Sequence, residues 1–166
     1  MTQFHKHMPS PVGTLKLVAN DTKLVAILWE NDDPARVKTD VSEESANHPV
    51  LLETERQLAA YFAGELKDFT LDLDFTGTDF QKAVWNALLT IPFGETRTYA
   101  QIAHQVGSPG AVRAVGAANG KNPISIVAPC HRVIGTNGKL TGFAGGLKEK
   151  AWLLDMESAR SNKTLF

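Results

Sequence analysis

The chain contains a single cysteine, Cys130, among 166 residues, so it cannot form an internal disulfide. It lacks any apolar run close to the roughly 20 residues that a membrane-spanning helix needs. The first residues, MTQFHK, lack the apolar segment of a secretory signal peptide. We therefore expect a cytosolic protein that makes no membrane contact and keeps Cys130 as a free thiol in a reducing compartment.

Net charge is also small, at −1, but the charges are unevenly distributed. Residues 1–77 contain 13 acidic and seven basic side chains, a net charge of −6, whereas residues 78–166 contain ten basic and five acidic ones, a net charge of +5. A polyanion would be attracted to the second half. Two interpretations stay open from charge alone: a surface for nucleic acid, or an acidic and a basic lobe that attract each other.

The first half has the patterns of an α+β lobe. Two β-rich segments, 12–20 and 24–29, are separated by a short polar turn, which predicts a hairpin. Apolar residues at helical spacing predict a helix over 49–64, and the alternating pattern of 69–75 predicts a strand with one solvent-exposed face. The polar stretch 30–49 predicts a loop with little structure of its own.

The second half has the patterns of a helical lobe. Capping-box patterns begin at Thr78 and Thr98 and predict the start of two helices. Ser108, followed by a proline, predicts the N-cap of a third helix, which the Asn119-Gly120 pair ends. The predicted helices span residues 78–91, 100–106, 109–118 and 147–158.

Two of these helices, 100–106 and 109–118, form a helix-turn-helix candidate across Gly107. The second contains AVRAVGAA, with Arg113 as its single charge. A helix that reads the major groove carries several polar side chains, whereas small residues with one long side chain suit the minor groove. The alternative is a core helix whose arginine reaches solvent, and spacing alone favours that alternative.

Cys130 is followed at once by His131, which makes the thiol a candidate nucleophile. A free cysteine with a pKa of about 8.5 is mostly protonated at neutral pH, so it needs a base. The β-rich run 124–127 and Pro129 predict a strand end or tight turn that presents the thiol to a cleft, with His131 as base directly or through one water. A buried structural cysteine remains an alternative. The five histidines lack the spacing of a zinc site, so we expect no metal and no cofactor.

Several segments together resemble the alkylguanine-DNA alkyltransferases, also called methylated-DNA–protein-cysteine methyltransferases. They are Asn122-Pro123, PCHRVI at 129–134, AVRAVGAA at 111–118 and GFAGGLKEKAWLLDME at 142–157. The resemblance covers about residues 78–157, and residues 1–77 fit the family's first lobe loosely. It implies an α+β protein with a ribonuclease-H-like sheet-and-helix lobe at 1–77. A mostly helical lobe at 78–166 would then bind DNA through a helix-turn-helix and accept the alkyl group.

The resemblance implies roles for four residues around the thiol. Cys130 matches the alkyl-accepting cysteine, and His131 matches a base that acts through water. Glu157 matches the carboxylate that orients this histidine. Asn122 matches an asparagine that stabilises the active-site turn and connects it to the DNA-binding motif.

Further residues match positions that face DNA or the base. Tyr99 matches a tyrosine that crowds the backbone phosphate, so that the nucleotide rotates out, and that donates a proton to the base. Arg113 matches the arginine that fills the gap left in the stack. Small residues complete the DNA-contacting helix, namely Ala111, Ala114, Gly116 and Ala117. The substrate pocket is expected to comprise Pro129, Val133, Phe143 and Ala144.

The implied function is DNA repair by a stoichiometric, suicidal methyltransferase. A monomer in the cytoplasm, associated with the nucleoid, would flip 6-O-alkylguanine out of double-stranded DNA, and 4-O-alkylthymine stays open as a second substrate. It would transfer the alkyl group irreversibly to its own cysteine. Phe143 and Ala144 stand where some relatives have Tyr and Ser, which puts tolerance for large alkyl groups in question.

Three other functions compete with repair. A non-catalytic protein that flags the lesion would have another residue in place of Cys130. A small DNA-binding regulator is disfavoured by the few polar residues around Arg113. A thiol hydrolase has no substrate pocket that the sequence suggests.

Overall fold

The computed structural model describes residues 2–138 and 143–162, the last two by their backbone alone. The first part of the chain forms a four-stranded sheet in the order β3-β2-β1-β4. The strands are β1 (Gln3–Met8), β2 (Leu15–Ala19), β3 (Leu24–Leu28) and β4 (Ser42–Glu44). Strands β1, β2 and β3 pair antiparallel, and β4 adds to β1 in parallel. Helix α1 (Pro49–Phe62) packs against this sheet.

The second part is mostly helical. Its helices are α2 (Asp79–Leu88), α3 (Tyr99–Gln105), α4 (Val112–Gly120) and α5 (Leu147–Asn162). Two short strands, β5 (Arg97–Thr98) and β6 (Val133–Ile134), pair in parallel between them. None of the helices in the described residues is both long and apolar enough to cross a membrane.

The apolar core under the sheet takes residues from both parts of the chain. Leu51 and Leu58 of α1 are fully buried against it, and so are Ile124 and Leu153 from the second part. Strand β3 also binds a segment of the second part directly, because the backbone N–H of Ile27 donates to the carbonyl of Pro123 at 2.9 Å. The segment that precedes Cys130 is therefore built into the core of the first part.

The two capping-box predictions are confirmed. The hydroxyls of Thr78 and Thr98 each accept a hydrogen bond from the backbone N–H three residues on. In turn, the side-chain oxygens of Gln81 and Gln101 accept from the backbone N–H of the threonines. Each cap satisfies backbone groups that a helix start would otherwise leave unpaired. These local patterns therefore set where α2 and α3 begin.

The predicted N-cap at Ser108 is wrong. Helix α4 starts at Val112, and its N-cap residue, Ala111, provides no side-chain hydrogen bond. The proline and glycine after Ser108 form a turn instead, closed by a 2.8 Å hydrogen bond from Ala111 N to Ser108 O. The helix also continues through Gly120, beyond the predicted end.

Three strand and loop predictions also need correction. Residues 69–75 form no strand, because only Leu73 pairs, as an isolated bridge to Leu24. Residues 124–127 form a turn with isolated bridges rather than a strand. The stretch 30–49, predicted as a loop, contains β4. In each case pairing with a distant segment decides the outcome, and local alternation does not report it.

Burial on α1 gives a direct test of this core. Leu58 is fully buried whereas Leu52, on the same helix, is 41% exposed. We expect Leu58→Ala to lower the free energy of unfolding by about 2–5 kcal/mol, because it removes buried methyl groups and leaves a cavity. Leu52→Ala should change it by about 0.5 kcal/mol or less. Urea denaturation of the two variants measures this, and equal losses would contradict the packing described.

Candidate active site

Cys130 begins a single 3₁₀ turn, Cys130–Arg132, that leads directly into β6. Its side chain is 4% exposed. Burial raises the pKa of the thiol, and hydrogen bonds from Asn122 and Ser125 oppose that rise without cancelling it. The thiol is therefore protonated at neutral pH and needs a base before it can act as a nucleophile.

The turn before Cys130 is held by the side chain of Asn122. Its amide nitrogen donates to Ala128 O at 2.8 Å, and its amide oxygen accepts from Ile124 N at 3.0 Å. Within this turn Ile126 has a φ of 73°, the left-handed region that β-branched residues avoid. Such a conformation costs about 1–3 kcal/mol and persists only where the surroundings impose it. The two Asn122 bonds, which span the strained residue, impose it here.

His131 and Glu157 form a buried pair. The ring Nε2 of His131 lies 2.7 Å from Oε2 of Glu157, and both side chains are almost fully enclosed. Because a carboxylate only accepts, we assign the proton to Nε2, which leaves the lone pair on Nδ1. Among the described residues, Nδ1 has no hydrogen-bond partner. Burial lowers the pKa of His131 more than Glu157 raises it, so the imidazole is neutral and basic at neutral pH.

Glu157 stays ionised because several donors converge on it. Arg132 donates through Nε to Oε1 at 2.8 Å and through Nη2 to Oε2 at 3.0 Å. The hydroxyl of Tyr61 also donates to Oε2. Burial favours the neutral acid, but the bonds from His131 and Arg132 outweigh it and hold the pKa of Glu157 well below its usual range.

Lys150 is a buried cation that the sequence analysis missed. Its Nζ donates to the carbonyl of Val133 at 2.7 Å and lies 5.7 Å from the ring centroid of Phe143. Burial lowers the pKa of Lys150, and its charge favours the thiolate of Cys130. Its position on the buried face of α5 could have indicated this role, but the apolar spacing of that helix is too weak to show which face is buried.

Arg36 was missed as well, because it lies in the stretch predicted as an unstructured loop. It forms a bidentate ion pair with Asp32, with both N–O distances at 2.7 Å. Its Nη1 also donates to Gly120 O at 3.1 Å and to Asn122 O at 2.9 Å. Arg36 thus ties the first part of the chain to the end of α4 and to the start of the turn that leads to Cys130.

The exposed side of α4 carries Arg113 among small residues. Arg113 is exposed, and in the part of the chain that the structure describes it has no hydrogen-bond or ion-pair partner. Ala114 and Ala117 are exposed, whereas Ala111 and Gly116 are half-buried. A Cβ on Gly116 would lie 3.9 Å from the ring of Tyr99. The small residues therefore form a shallow face beside Tyr99 on α3.

Two of the four predicted pocket residues, Ala144 and Pro129, line different cavities. Ala144 lines a cavity of about 310 Å³ with Trp29 and Trp152, and Pro129 lines another of about 230 Å³. Val133 is buried, and Phe143 packs edge-on against Trp29 at 5.3 Å between centroids. Gly142 and the three residues before it lie outside the described residues, so the pocket stays a prediction.

Two family models match the chain. The ribonuclease-like domain of 6-O-methylguanine DNA methyltransferase matches residues 4–75, and the DNA binding domain of the same protein matches residues 79–159. The chain belongs to the 6-O-methylguanine DNA methyltransferase family. This confirms the family that the sequence analysis named from Cys130 and its surroundings.

Members of this family are similar to the chain over nearly its whole length. The methylated-DNA–protein-cysteine methyltransferase of Mycobacterium tuberculosis is 48% identical over 166 residues, which is 98% of each chain. That of Methanosarcina acetivorans is 50% identical over 151 residues, which is 90% of this chain and 95% of the relative. A crystal structure of Mycobacterium tuberculosis OGT in complex with DNA has a TM-score of 0.86 at 46% identity, covering 96% of this chain and 94% of the other. The predicted fold class is thereby confirmed.

The structure brings together the residues that the family resemblance selected around the thiol. Asn122 and Cys130 lie at the two ends of one strained turn, and His131 pairs with Glu157 across 26 positions of sequence. Tyr99, at the start of α3, packs against the same apolar cluster as Cys130, whereas Arg113 lies on the exposed side of α4. The individual roles stay predictions, as does a lobe boundary at Gly77.

The buried carboxylate predicts a stability effect. Glu157→Gln leaves Arg132 as a buried cation without its counter-ion, so we expect a loss of about 3–5 kcal/mol at pH 7. The matched control is Glu95→Gln, whose side chain is 54% exposed and pairs with Arg97 at 3.2 Å. That change should cost less than about 1 kcal/mol.

The loss should also depend on pH. Because the pKa of Glu157 is lowered by folding, its contribution is complete at neutral pH and declines as pH falls below about 4, where the unfolded carboxyl takes up its proton. Urea denaturation from pH 7 to pH 3 measures the gap between wild type and Glu157→Gln. A gap that stays constant, or equal losses for the two variants, would contradict the buried ion pair.

Proposed function

We propose that the protein repairs 6-O-alkylguanine, and also 4-O-alkylthymine, in double-stranded DNA by transferring the alkyl group irreversibly to Cys130. Each molecule acts once. The observation that carries the proposal is the lone thiol of Cys130 on the same 3₁₀ turn as a buried His131–Glu157 pair. Family membership and the relatives named as methylated-DNA–protein-cysteine methyltransferases support the same reaction.

The transfer step needs a proton to leave the thiol and another to reach the base. His131 takes the thiol proton at Nδ1, the ring nitrogen that Glu157 does not bind, directly or through one water. The sulfur then attacks the alkyl carbon, and the carbon–oxygen bond to guanine breaks with its electron pair remaining on guanine. Tyr99 donates a proton to the guanine ring, so the base leaves neutral. The product is a thioether on Cys130, which water does not hydrolyse.

The reacting carbon lies inside the duplex stack, so the nucleotide has to be rotated out at a cost of a few kcal/mol. Arg113 offsets part of that cost by filling the gap in the stack. The small residues of α4 permit close approach to the minor groove, and they are Ala111, Ala114, Gly116 and Ala117. Tyr99 crowds the phosphate of the rotated nucleotide. The net positive charge of residues 78–166 favours this face for the phosphate backbone.

The flipped base is proposed to bind between Pro129, Val133, Phe143 and Ala144. The main-chain N–H of Ala144 can hydrogen-bond the base oxygen, since this contact needs no side chain. We further propose that the protein acts as a monomer, because one molecule carries every group that the reaction uses. It would act in the cytoplasm, on nucleoid DNA.

Intact-mass measurement tests the transfer. After incubation with an oligonucleotide duplex that contains 6-O-methylguanine, the protein should gain one methyl group on Cys130, with one molecule consumed per lesion. Cys130→Ser should gain none. An unchanged mass with tight binding to the lesion would instead indicate a flagging protein, and sequence-dependent binding without lesion preference would indicate a regulator.

The role of Arg113 predicts a difference between two substrates. Arg113→Ala should slow transfer from duplex DNA by roughly ten- to a hundredfold, because a cost of a few kcal/mol for flipping is no longer offset. Transfer from the free methylated base should be almost unchanged.

The control for this comparison is Arg56→Ala, which removes an exposed arginine from α1 in the acidic first part. It should leave both rates unchanged. Single-turnover rates on the two substrates give the ratio, and equal losses for Arg113→Ala would argue against a role in flipping.

A further inference from the structure

Tyr61 brings the first part of the chain into the hydrogen-bond network of the thiol. It lies in α1, is fully buried, and donates its hydroxyl to Oε2 of Glu157. The same oxygen accepts the hydrogen bond from His131 Nε2 at 2.7 Å. Because Glu157 is ionised, it only accepts, so the phenol is the donor. Burial and the negative charge of Glu157 raise the pKa of Tyr61 well above its usual value, which keeps the proton on the phenol.

The ring of Tyr61 has little freedom to move its hydroxyl. It contacts three phenylalanine rings, with centroid distances of 5.4 Å to Phe62, 5.3 Å to Phe69 and 6.1 Å to Phe93. The guanidinium of Arg132 lies over the ring of Phe93, 5.8 Å from the ring centroid. Two of these rings, Phe62 and Phe69, belong to the first part of the chain, so the packing of that part contributes directly to placing the hydroxyl.

Two of the other donors to Glu157 belong to the reactive turn itself. His131 and Arg132 belong to the same 3₁₀ turn as Cys130, and Gly94 N makes a longer contact of 3.5 Å to Oε1. Those bonds let the carboxylate and the turn shift together. Tyr61 is different, because it attaches Oε2 to a helix that packs on the sheet.

We propose that Tyr61 is a positioning residue for the transfer reaction: its hydroxyl fixes Oε2 of Glu157, and through it the ring orientation and tautomer of His131. The inference rests on the proposed function for its kinetic consequence but not for its structural one. It also gives the first part of the chain a specific task in the reaction, one that composition and charge did not suggest.

Removing the hydroxyl has a predictable sign. A hydrogen bond from Tyr61 disperses the charge of Glu157, so its loss strengthens the pull of Glu157 on a protonated His131. The other charges that bear on His131, Arg132 and Lys150, act in the opposite direction and are unchanged. The pKa of His131 should therefore rise in Tyr61→Phe. The acid limb of the pH–rate profile then moves to higher pH.

The experiment compares Tyr61→Phe with Phe69→Leu, which loosens the same aromatic packing but keeps the hydroxyl. Nitrogen-15 NMR of the histidine rings reads which nitrogen of His131 carries the proton and at what pH the second proton binds. We expect Tyr61→Phe to raise the pKa of His131 and to slow methyl transfer about tenfold at neutral pH, the scale of one hydrogen bond to a charged group. Phe69→Leu should lower stability without moving either quantity.

A second measurement covers the case in which Tyr61→Phe does not fold. The chain has two tyrosines, so 3-fluorotyrosine incorporated into Tyr99→Phe labels Tyr61 alone. Fluorine makes the phenol a stronger donor, and the pKa of His131 should then fall.

The outcomes separate cleanly. An unchanged His131 titration in the substituted or fluorinated protein, or an equal change in Phe69→Leu, would overturn the proposal and leave Tyr61 with a packing role alone. If the wild-type protein accepts no methyl group, the proposed function fails, and the histidine titration still decides the position of Tyr61.

Discussion

One ionised carboxylate, enclosed between the two parts of the chain, governs the chemistry around the thiol. An unpaired charge in such a place would be prohibitively unstable, so Glu157 is stable there only because Arg132, His131 and Tyr61 donate to it. The donors come from a helix of the first part and from the turn next to Cys130. Satisfying one buried anion thus brings together elements that are far apart in sequence.

The ionised state of Glu157 has a direct chemical consequence for the thiol. It places the proton of His131 on Nε2 and leaves Nδ1 as the basic nitrogen. Burial favours the neutral form of both reacting groups, because it raises the pKa of Cys130 and lowers that of His131. The resting site therefore contains a neutral thiol and a neutral imidazole rather than an ion pair. Such a thiol reacts little with stray electrophiles, which suits a group that acts once.

Local patterns and long-range contacts differed in how well the sequence predicted them. The capping boxes at Thr78 and Thr98 involve four neighbouring residues, and both helix starts were predicted. Ser108 matched a similar local pattern but failed, because Pro109 and Gly110 favour a turn before α4. Residues 69–75 had strand alternation without a strand partner along their length.

The candidate site shows the same division. Cys130 and His131 were candidates from their adjacency in the sequence. Glu157 was selected only through the family resemblance, because spacing alone could not choose one carboxylate among many. Tyr61, Arg36 and Lys150 were not selected at all. Each acts through a contact with a residue 17 to 96 positions away, and no pattern within a helix or a loop encodes such a partner.

The two hydrogen bonds from Arg36 to Gly120 O and Asn122 O join the last turn of α4 to the start of the strained turn. The indole of Trp85 adds a bond to Ala118 O at 2.8 Å on the same helix end. These bonds hold α4 and the turn in a fixed relative position. The fold therefore sets the distance from Arg113 to the sulfur of Cys130. In the proposed reaction this fixed distance selects fully rotated nucleotides, because a nucleotide that has swung only part of the way out of the duplex does not reach the thiol.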